Sequence, residues 1–373
     1  MRILIAPDKF KGTLTSVEVS KIIAEGFLGH DCDLKPVADG GEGTSKILSS
    51  SLGGKTIEVN VMSPLGESVL APIEILFDED GVPEIAFIEM SVASGLSLLS
   101  KEELVPWNAT SYGTGELIIA ARDIGVDRII LGIGGSATND GGAGMAKALG
   151  VRFYDKAGHE IEDIPERLAD LDRVFPDIAI DLPEIVVASD VNNPLLGESG
   201  ATKVFGAQKG IHAEEIELHE SRLKAFADVV EKELQISLRN HHGAGAAGGL
   251  GFGLMAFCDA KLEPGFELVA KMIDLEDSIR DCDIVITGEG SIDFQSIMGK
   301  APYGVAKMAK KHNKPVIAFC GVSENDEKIS KAFDKVFSLV DSNVSFEEAV
   351  KEPAKVLKNK VDSCRLMIEQ LLL

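Results

Sequence analysis

The sequence predicts an α/β protein that combines a Rossmann-like parallel-sheet domain with a large inserted α+β domain, with a cleft between the two. Three observations lead to this prediction. The first and last thirds alternate apolar strand-like runs with amphipathic helix-like segments, which is typical of a parallel sheet covered by helices. Residues 55–89 contain three successive strand-like runs joined by short turns. A chain of 373 residues is also long for one hydrophobic core.

The elements of the first third follow from local patterns. Residues 2–6 and 33–37 are apolar runs that predict strands, and Thr15 with Glu18 predicts a capping box at the start of a helix. Runs over 55–62, 68–77 and 84–89 then predict an antiparallel meander.

The centre of the chain predicts a strand, a glycine loop and a helix. Residues 128–133 are an apolar, β-branched run, and a small-residue loop of 134–144 leads to a short helix, which Thr138 or Asn139 could cap. Glycines let a ligand approach backbone N–H groups, which at a helix start favour anions. We interpret the loop as a phosphate cradle, with a tight packing turn as the alternative.

The last third returns to alternating order. A strand is predicted at 184–188 in the middle of the chain, and the last third has predicted strands at 283–287, 315–320 and 335–340 with a helix over 301–312. The simplest assembly joins the two ends of the chain in one parallel sheet. We therefore predict a discontinuous domain of residues 1–65 plus 275–373 and an inserted domain of residues 66–274, which carries the glycine-rich 132–144 loop.

Composition excludes several classes of protein. The formal net charge of −23 repels nucleic acid and anionic membrane surfaces, so we expect neither as a partner. The five cysteines are widely spaced and form no metal-binding or disulfide pattern. No targeting or membrane-spanning segment is evident, so a cytoplasmic protein is expected. The sequence leaves homo-oligomer formation open.

Acidic and basic residues follow the predicted strands at several points. Asp8, Asp39 and Asp190 each come after a strand, as do Glu289 with Asp293, and Lys11 and Lys300 occupy similar loops. Carboxylates that hold Mg²⁺, lysines and amides that hold phosphate, and a carboxylate that accepts a hydroxyl proton are the requirements of phosphoryl transfer. The pattern therefore predicts a phosphotransferase.

The chain resembles the bacterial glycerate kinase family over essentially its whole length. The motifs that carry this resemblance are Ile5-Ala-Pro-Asp8-Lys-Phe-Lys11, Ala38-Asp39-Gly-Gly-Glu-Gly-Thr44, Tyr112-Gly-Thr-Gly-Glu-Leu117, Gly134-Gly-Ser-Ala-Thr-Asn-Asp-Gly-Gly142, Ala188-Ser-Asp190-Val-Asn-Asn-Pro194, Thr287-Gly-Glu-Gly-Ser-Ile-Asp293 and Gly299-Lys300. The resemblance implies phosphorylation of D-glycerate by ATP with Mg²⁺, with 2-phosphoglycerate favoured over 3-phosphoglycerate as product. It also implies an active-site cleft between two domains.

Roles for individual residues are hypotheses on this resemblance. Phosphate would be cradled by Gly134, Gly135, Ser136, Thr138 and Asn139. The carboxylates on the Mg²⁺ side would be Asp190 and Glu289, and Asp293 would be the general base. Lys11 and Lys300 would neutralise the glycerate carboxylate or the γ-phosphoryl group. Some family members have arginine where this chain has Ser291.

Three other functions are considered. An NAD-dependent oxidoreductase could use the G-x-G-x-x-A pattern of 132–137, with Asp155 as the acid that binds the ribose. A ribokinase-like sugar kinase is suggested by the run of residues 139–144. A non-enzymatic anion-binding module would have little use for several converging acids.

Overall fold

The computed structural model describes residues 1–176, 181–293, 300–324 and 327–370. It divides into two compact units, each with its own sheet. Unit 1 consists of Met1–Asp39 and Phe266–Leu373, and unit 2 of Gly40–Gly265. Gly299, which belongs to one of the quoted motifs, lies outside the described residues.

Unit 1 is built on a five-stranded parallel sheet. Its strands are β1 (Arg2–Ile5), β2 (Asp31–Leu34), β11 (Ile284–Ile292), β12 (Val316–Ser323) and β13 (Lys335–Ser338). Its helices are α1 (Ser16–Gly26), α9 (Gly265–Met272), α10 (Leu275–Asp281), α11 (Ala301–Lys311), α12 (Glu327–Ala332), α13 (Phe346–Lys351) and α14 (Pro353–Gln370). The strand order β13-β12-β11-β1-β2 confirms that the two ends of the chain share one parallel sheet.

Both faces of the unit 1 sheet are buried, as a parallel sheet requires. Ile3 and Ile5 pack in one core cluster with residues of α1 and α14. Leu4 and Val285 alternate along β1 and β11 with residues of this cluster, and they are also fully buried. Helix α1 begins as predicted, because Thr15 and Glu18 form a complete capping box.

Unit 2 is built on a six-stranded mixed sheet with an additional two-stranded hairpin. Its strands are β3 (Lys55–Met62), β4 (Ser68–Phe77), β5 (Pro83–Glu89), β6 (Arg128–Gly132), β7 (Arg152–Asp155), β8 (Leu171–Phe175), β9 (Glu184–Ala188) and β10 (Lys261–Glu263). Its helices are α2 (Thr44–Leu52), α3 (Ser91–Ser94), α4 (Tyr112–Ile124), α5 (Ala143–Ala148), α6 (Ala201–Phe205), α7 (Ile216–Leu234) and α8 (Ala246–Cys258).

The unit 2 sheet has the order β10-β9-β6-β5-β4-β3. The pairs β3/β4 and β4/β5 are antiparallel, which confirms the predicted meander. The remaining pairs are parallel, so β5, β6, β9 and β10 all end at one edge of the sheet. We call this the carboxyl edge of unit 2.

Several features differ from the sequence prediction, among them strand β2, which spans Asp31–Leu34 rather than residues 33–37. The two compact units meet at 39/40 and 265/266, whereas the predicted domain boundaries are 65/66 and 274/275; β3 lies in unit 2, where it pairs with β4. Strand β11 does not end at Gly288 but continues to Ile292, where it still pairs with β12. Helix α14 begins at Pro353. The assignment of a discontinuous domain and an inserted domain stays a prediction.

Candidate active site

A glycine turn follows β6 at the carboxyl edge of unit 2. Gly134 and Gly135 are exposed, and Gly135 has φ +76°, a conformation that favours glycine. A Cβ atom on Gly134 would lie 3.3 Å from Cα of Gly41, so the backbones are in close approach. Among the described residues, none accepts a hydrogen bond from the backbone N–H of Gly134, Gly135 or Ser136. These groups are available to an anion.

The path of the chain after this turn argues against a dinucleotide fold. Ser136 forms an antiparallel bridge with Gly95, and the next helix begins only at Ala143. In a dinucleotide-binding fold, a helix begins directly after the glycine turn and its N-terminus binds the pyrophosphate. The chain does not form that arrangement after β6. Asp155, the acid of that hypothesis, lies in the β7/β8 hairpin, where it accepts a hydrogen bond from the backbone N–H of His159 at 2.9 Å. The structure therefore supports neither of the two features on which the oxidoreductase hypothesis depends.

The next residues point into the unit rather than out of it. Thr138 is fully buried and Asn139 is 4% exposed. The amide of Asn139 donates to Thr202 Oγ1 at 3.2 Å, whereas Thr138 Oγ1 and Asn139 Oδ1 have no hydrogen-bond partner among the described residues. In this conformation the accessible part of the predicted cradle is therefore the Gly134–Gly135 backbone, with Ser136 beside it.

The prediction that Thr138 or Asn139 caps the following helix is wrong. Asp140, not Thr138 or Asn139, supplies the capping carboxylate: Oδ1 accepts from the N–H of Gly142 and Oδ2 from that of Gly144, both at 3.1 Å. Oδ2 also accepts from the backbone and the hydroxyl of Ser111 at 2.9 and 2.7 Å. Because this carboxylate occupies the start of α5, the helix terminus is not available to a phosphate.

A buried lysine supports the glycine turn. Lys209 is 2% exposed, and its Nζ donates to Ser136 Oγ and to the carbonyl oxygen of Thr138, both at 2.6 Å. Burial lowers the pKa of Lys209 to about 7, and the charge of Asp140 only partly opposes this effect. Lys209 was not predicted from the sequence, because it lies 73 positions after Ser136 and belongs to none of the motifs quoted above.

A second carboxylate holds the neighbouring glycine turn, residues 40–43. Oε1 of Glu89, the last residue of β5, accepts hydrogen bonds from the backbone N–H of Gly43 and Ser45 and from the Ser45 hydroxyl, at 2.8, 3.0 and 2.8 Å. The start of α2 is thus satisfied internally. Glu89 was also missed, although it follows the same rule of an acid at a strand end that singled out the other acids.

Asp190 lies at the same edge of unit 2, two residues after β9. It is exposed, and its Oδ1 accepts a hydrogen bond from the backbone N–H of Gly265 at 2.9 Å. The sequence-based position after a strand end is confirmed.

In unit 1, three charged residues lie together near the end of β11. Lys300 Nζ is 3.2 Å from Glu289 Oε2 and 3.9 Å from Asp293 Oδ1. Glu289 is buried within the strand, opposite Cys320 of β12, whereas Asp293 follows the strand and is about a quarter exposed. The structure therefore brings together three of the predicted residues.

Lys11 is placed differently. Its backbone passes close to β11, since a Cβ atom on Gly290 would be 3.2 Å from its nitrogen. Its side chain is exposed and forms no hydrogen bond or ion pair with the described residues.

Asp8 lies at the end of β1 in the same unit and is 7% exposed. Burial raises the pKa of Asp8 to about 7, and the charges of Asp39 and Glu289 add to the rise. The N–H of Lys9, which donates to Asp8 Oδ1 at 2.6 Å, opposes it. A carboxyl group so perturbed by burial and like charge is typical of a functional site.

We expect Asp8→Asn to stabilise the ligand-free protein at pH 8 and to have little effect near pH 4. The folded-state pKa lies above the unfolded value, so wild-type stability falls as pH rises from about 4 to about 7 and stays low above it. The shift corresponds to at most about 4 kcal/mol. Denaturant unfolding of both proteins across this pH range measures the difference; an equal effect at both pH values would contradict it.

Together these features define an α/β phosphotransferase. Unit 2 presents an anion-accepting backbone turn, and unit 1 presents carboxylates with a lysine, which are the two kinds of group that phosphoryl transfer needs. A model of the glycerate kinase family matches residues 3–369, and the chain belongs to this family. It is a kinase.

Similar proteins support this assignment over nearly the full chain. A glycerate kinase of Bacillus subtilis (strain 168) is 43% identical over 96% of this chain and 95% of its own length. A glycerate 2-kinase of Escherichia coli (strain K12) is 44% identical over 94% and 93%. The crystal structure of a candidate glycerate kinase 2 from Salmonella typhimurium LT2 is 40% identical, covers 99% of this chain and 98% of its own, and superposes with a TM-score of 0.86.

No helix in the described ranges has the length and apolar character needed to cross a membrane.

Proposed function

We propose that this protein transfers the γ-phosphoryl group of ATP to a hydroxyl of D-glycerate, with Mg²⁺, and releases ADP and phosphoglycerate. The hydroxyl oxygen forms a bond to phosphorus, the bond to the ADP oxygen breaks, and the hydroxyl proton leaves to a base. The observation that carries the proposal is the family match over residues 3–369. The name of the similar Escherichia coli protein, glycerate 2-kinase, supports 2-phosphoglycerate as the proposed product here.

In unit 2 we assign phosphate binding to the glycine turn. The backbone N–H groups of the exposed residues Gly134 and Gly135 would donate to phosphoryl oxygens, and the Ser136 hydroxyl would add a further donor. Thr138 and Asn139 keep unsatisfied buried oxygen atoms, so their part would be to shape the turn or to rearrange when ligand binds.

In unit 1 we assign the proton acceptor and the charge neutralisation. Asp293 would accept the hydroxyl proton as general base. Its neighbour Lys300, whose Nζ lies 3.9 Å from Oδ1 of Asp293, would neutralise a glycerate carboxylate or the γ-phosphoryl group. Lys11, with an exposed side chain, would serve the same neutralising role.

Mg²⁺ is the proposed cation, and Asp190 and Glu289 are the carboxylates assigned to its side of the reaction. In the part of the chain that the structure describes, no three carboxylate, imidazole or thiolate groups cluster as a metal cage. Mg²⁺ commonly takes only one or two protein carboxylates together with substrate phosphates and water, so hard oxygen donors of this kind fit it. When bound, the ion would neutralise charge on the phosphoryl oxygens.

One experiment tests the proposed function. The purified protein is incubated with ATP, Mg²⁺ and a panel of hydroxy acids and sugars, and the products are identified by ³¹P and ¹³C NMR. We expect ADP and phosphoglycerate from D-glycerate, with the phosphate on the 2-hydroxyl. Faster phosphorylation of ribose or fructose than of glycerate would instead favour a sugar kinase.

We expect Lys300→Ala to raise the KM for glycerate or for ATP about tenfold or more, because hydrogen bonds to charged groups contribute roughly 1.5–3 kcal/mol. The KM that rises identifies the substrate that Lys300 contacts. Lys310→Ala, which removes an ion-paired surface lysine from α11, is the matched control. Unchanged values of both KM and kcat in Lys300→Ala would remove this residue from the site.

A further inference from the structure

Lys209 is a buried lysine whose ammonium form has no counter-ion in contact. Its Nζ has two partners, Ser136 Oγ and the Thr138 carbonyl oxygen, and both are neutral. Among the described residues no carboxylate forms an ion pair with it. The Asp140 carboxylate, whose charge acts on Lys209, is bound to Ser111, Gly142 and Gly144. A buried ammonium group without a paired anion is unfavourable.

The contact with Lys209 determines what the Ser136 hydroxyl can do. Because its oxygen accepts a hydrogen bond from the ammonium group, its own hydrogen must point elsewhere. It donates to no described residue. Ser136 follows the exposed Gly134 and Gly135, whose backbone N–H groups are also available. A hydroxyl that accepts from a cation is a stronger donor, because linked hydrogen bonds polarise one another.

We propose that Lys209 is a positioning residue, which orients and polarises the Ser136 hydroxyl so that it donates to an anionic group bound at residues 134–136. The anion would be a phosphoryl group of the nucleotide or the carboxylate of the acceptor; it supplies the negative charge that the buried ammonium group lacks. The inference rests on the proposed function only for the source of this anion.

The test is a double-mutant cycle of Ser136→Ala and Lys209→Met, with ATP and D-glycerate as substrates. Each single variant is expected to lower kcat/KM about 10- to 100-fold, the range for a hydrogen bond to a charged group. The double variant should be little worse than either single variant, because both remove one interaction. Lys224→Met, at an exposed lysine of α7, is the control. Effects that multiply in the double variant, or wild-type kinetics for Lys209→Met, would overturn the proposal.

The kinetic pattern identifies the anion. A higher KM for ATP assigns the hydroxyl to a phosphoryl group of the nucleotide, and a higher KM for glycerate assigns it to the acceptor carboxylate. A lower kcat with both KM values unchanged assigns it to the transferring phosphoryl group in the transition state.

Folding of Lys209→Met is checked by its melting temperature, because the substitution removes a buried amine but also leaves the Thr138 carbonyl oxygen without its donor. If this variant does not fold, Ser136→Ala and Ser136→Thr keep the proposal testable. Threonine retains the hydroxyl and should stay near wild type, whereas alanine should not. Wild-type kinetics for Ser136→Ala would overturn the proposal.

Calorimetric titrations of ADP and of D-glycerate separate this inference from the proposed function. If the wild-type protein makes no phosphoglycerate but binds one of these two ligands about tenfold more tightly than Lys209→Met does, the proposed function fails and the inference stands. If the wild-type protein phosphorylates glycerate and Lys209→Met matches it in turnover and in both affinities, the inference alone fails.

Discussion

Replacement of Asp293 by asparagine is expected to lower kcat for glycerate phosphorylation about 100- to 10,000-fold, the usual contribution of a general base. The amide has nearly the shape of the carboxylate but cannot accept the proton. The KM for glycerate should change little, because Lys300 keeps its closer partner Glu289 at 3.2 Å. The steady-state parameters of the purified variant provide the measurement.

The control for this variant is Asp362→Asn. Asp362 is an exposed carboxylate of α14, 3.5 Å from Lys358, so the same chemical change is made beside a lysine away from β11. We expect wild-type kinetics for the control. A kcat within about threefold of wild type in Asp293→Asn would assign the proton to another group, and Asp8, with its pKa raised to about 7 by burial, would be the next residue to replace.

Replacement of Asp140 by alanine is expected to destabilise unit 2 by about 5 kcal/mol, since unsatisfied buried donors cost roughly 1–3 kcal/mol each. The carboxylate is 1% exposed and accepts hydrogen bonds from two donors of Ser111 and from the N–H groups of Gly142 and Gly144. Denaturant unfolding can be followed through Trp107, the single tryptophan of the chain, which packs against Arg222 in the same unit.

Two further variants provide comparisons for the stability of Asp140→Ala. Asp140→Asn retains one acceptor oxygen and should fall between wild type and alanine in its free energy of unfolding. Asp123→Ala removes an exposed carboxylate that contacts the adjacent Arg122, and it should change stability by less than about 0.5 kcal/mol. Equal stabilities of Asp140→Ala and Asp123→Ala would show that the carboxylate does not hold the turn.

Much of the fold could be predicted because strands and helices are encoded locally. Three strands have the bounds that the apolar patterns predict: Lys55–Met62, Ser68–Phe77 and Glu184–Ala188. Helix α1 also begins at the predicted capping box of Thr15 and Glu18. The end of β11 could not be predicted in this way. Gly288 and Gly290 look like loop residues, yet pairing with β12 keeps them in the strand.

The candidate site was predicted in its residue types more than in its hydrogen bonds. An acid or a glycine after each strand pointed to Glu289, Asp293, Asp190 and the turn at 134–136. Which donors each acid satisfies depends on residues distant in the chain: Glu89 holds the start of α2, and Lys209 contacts Ser136 across 73 positions. No spacing rule covers contacts of this kind.

The sequence by itself determined the class of fold, the order of its elements, and the family, because apolar periodicity and motif order are properties of the linear chain. Only the tertiary structure decided that Asp140 rather than a ligand occupies the start of α5, that Asp8 is buried beside other acids, and that Lys209 lies beneath the glycine turn. The physical reason is that burial and hydrogen-bond competition depend on which distant groups share one small volume, and the chain determines that volume only when it has folded.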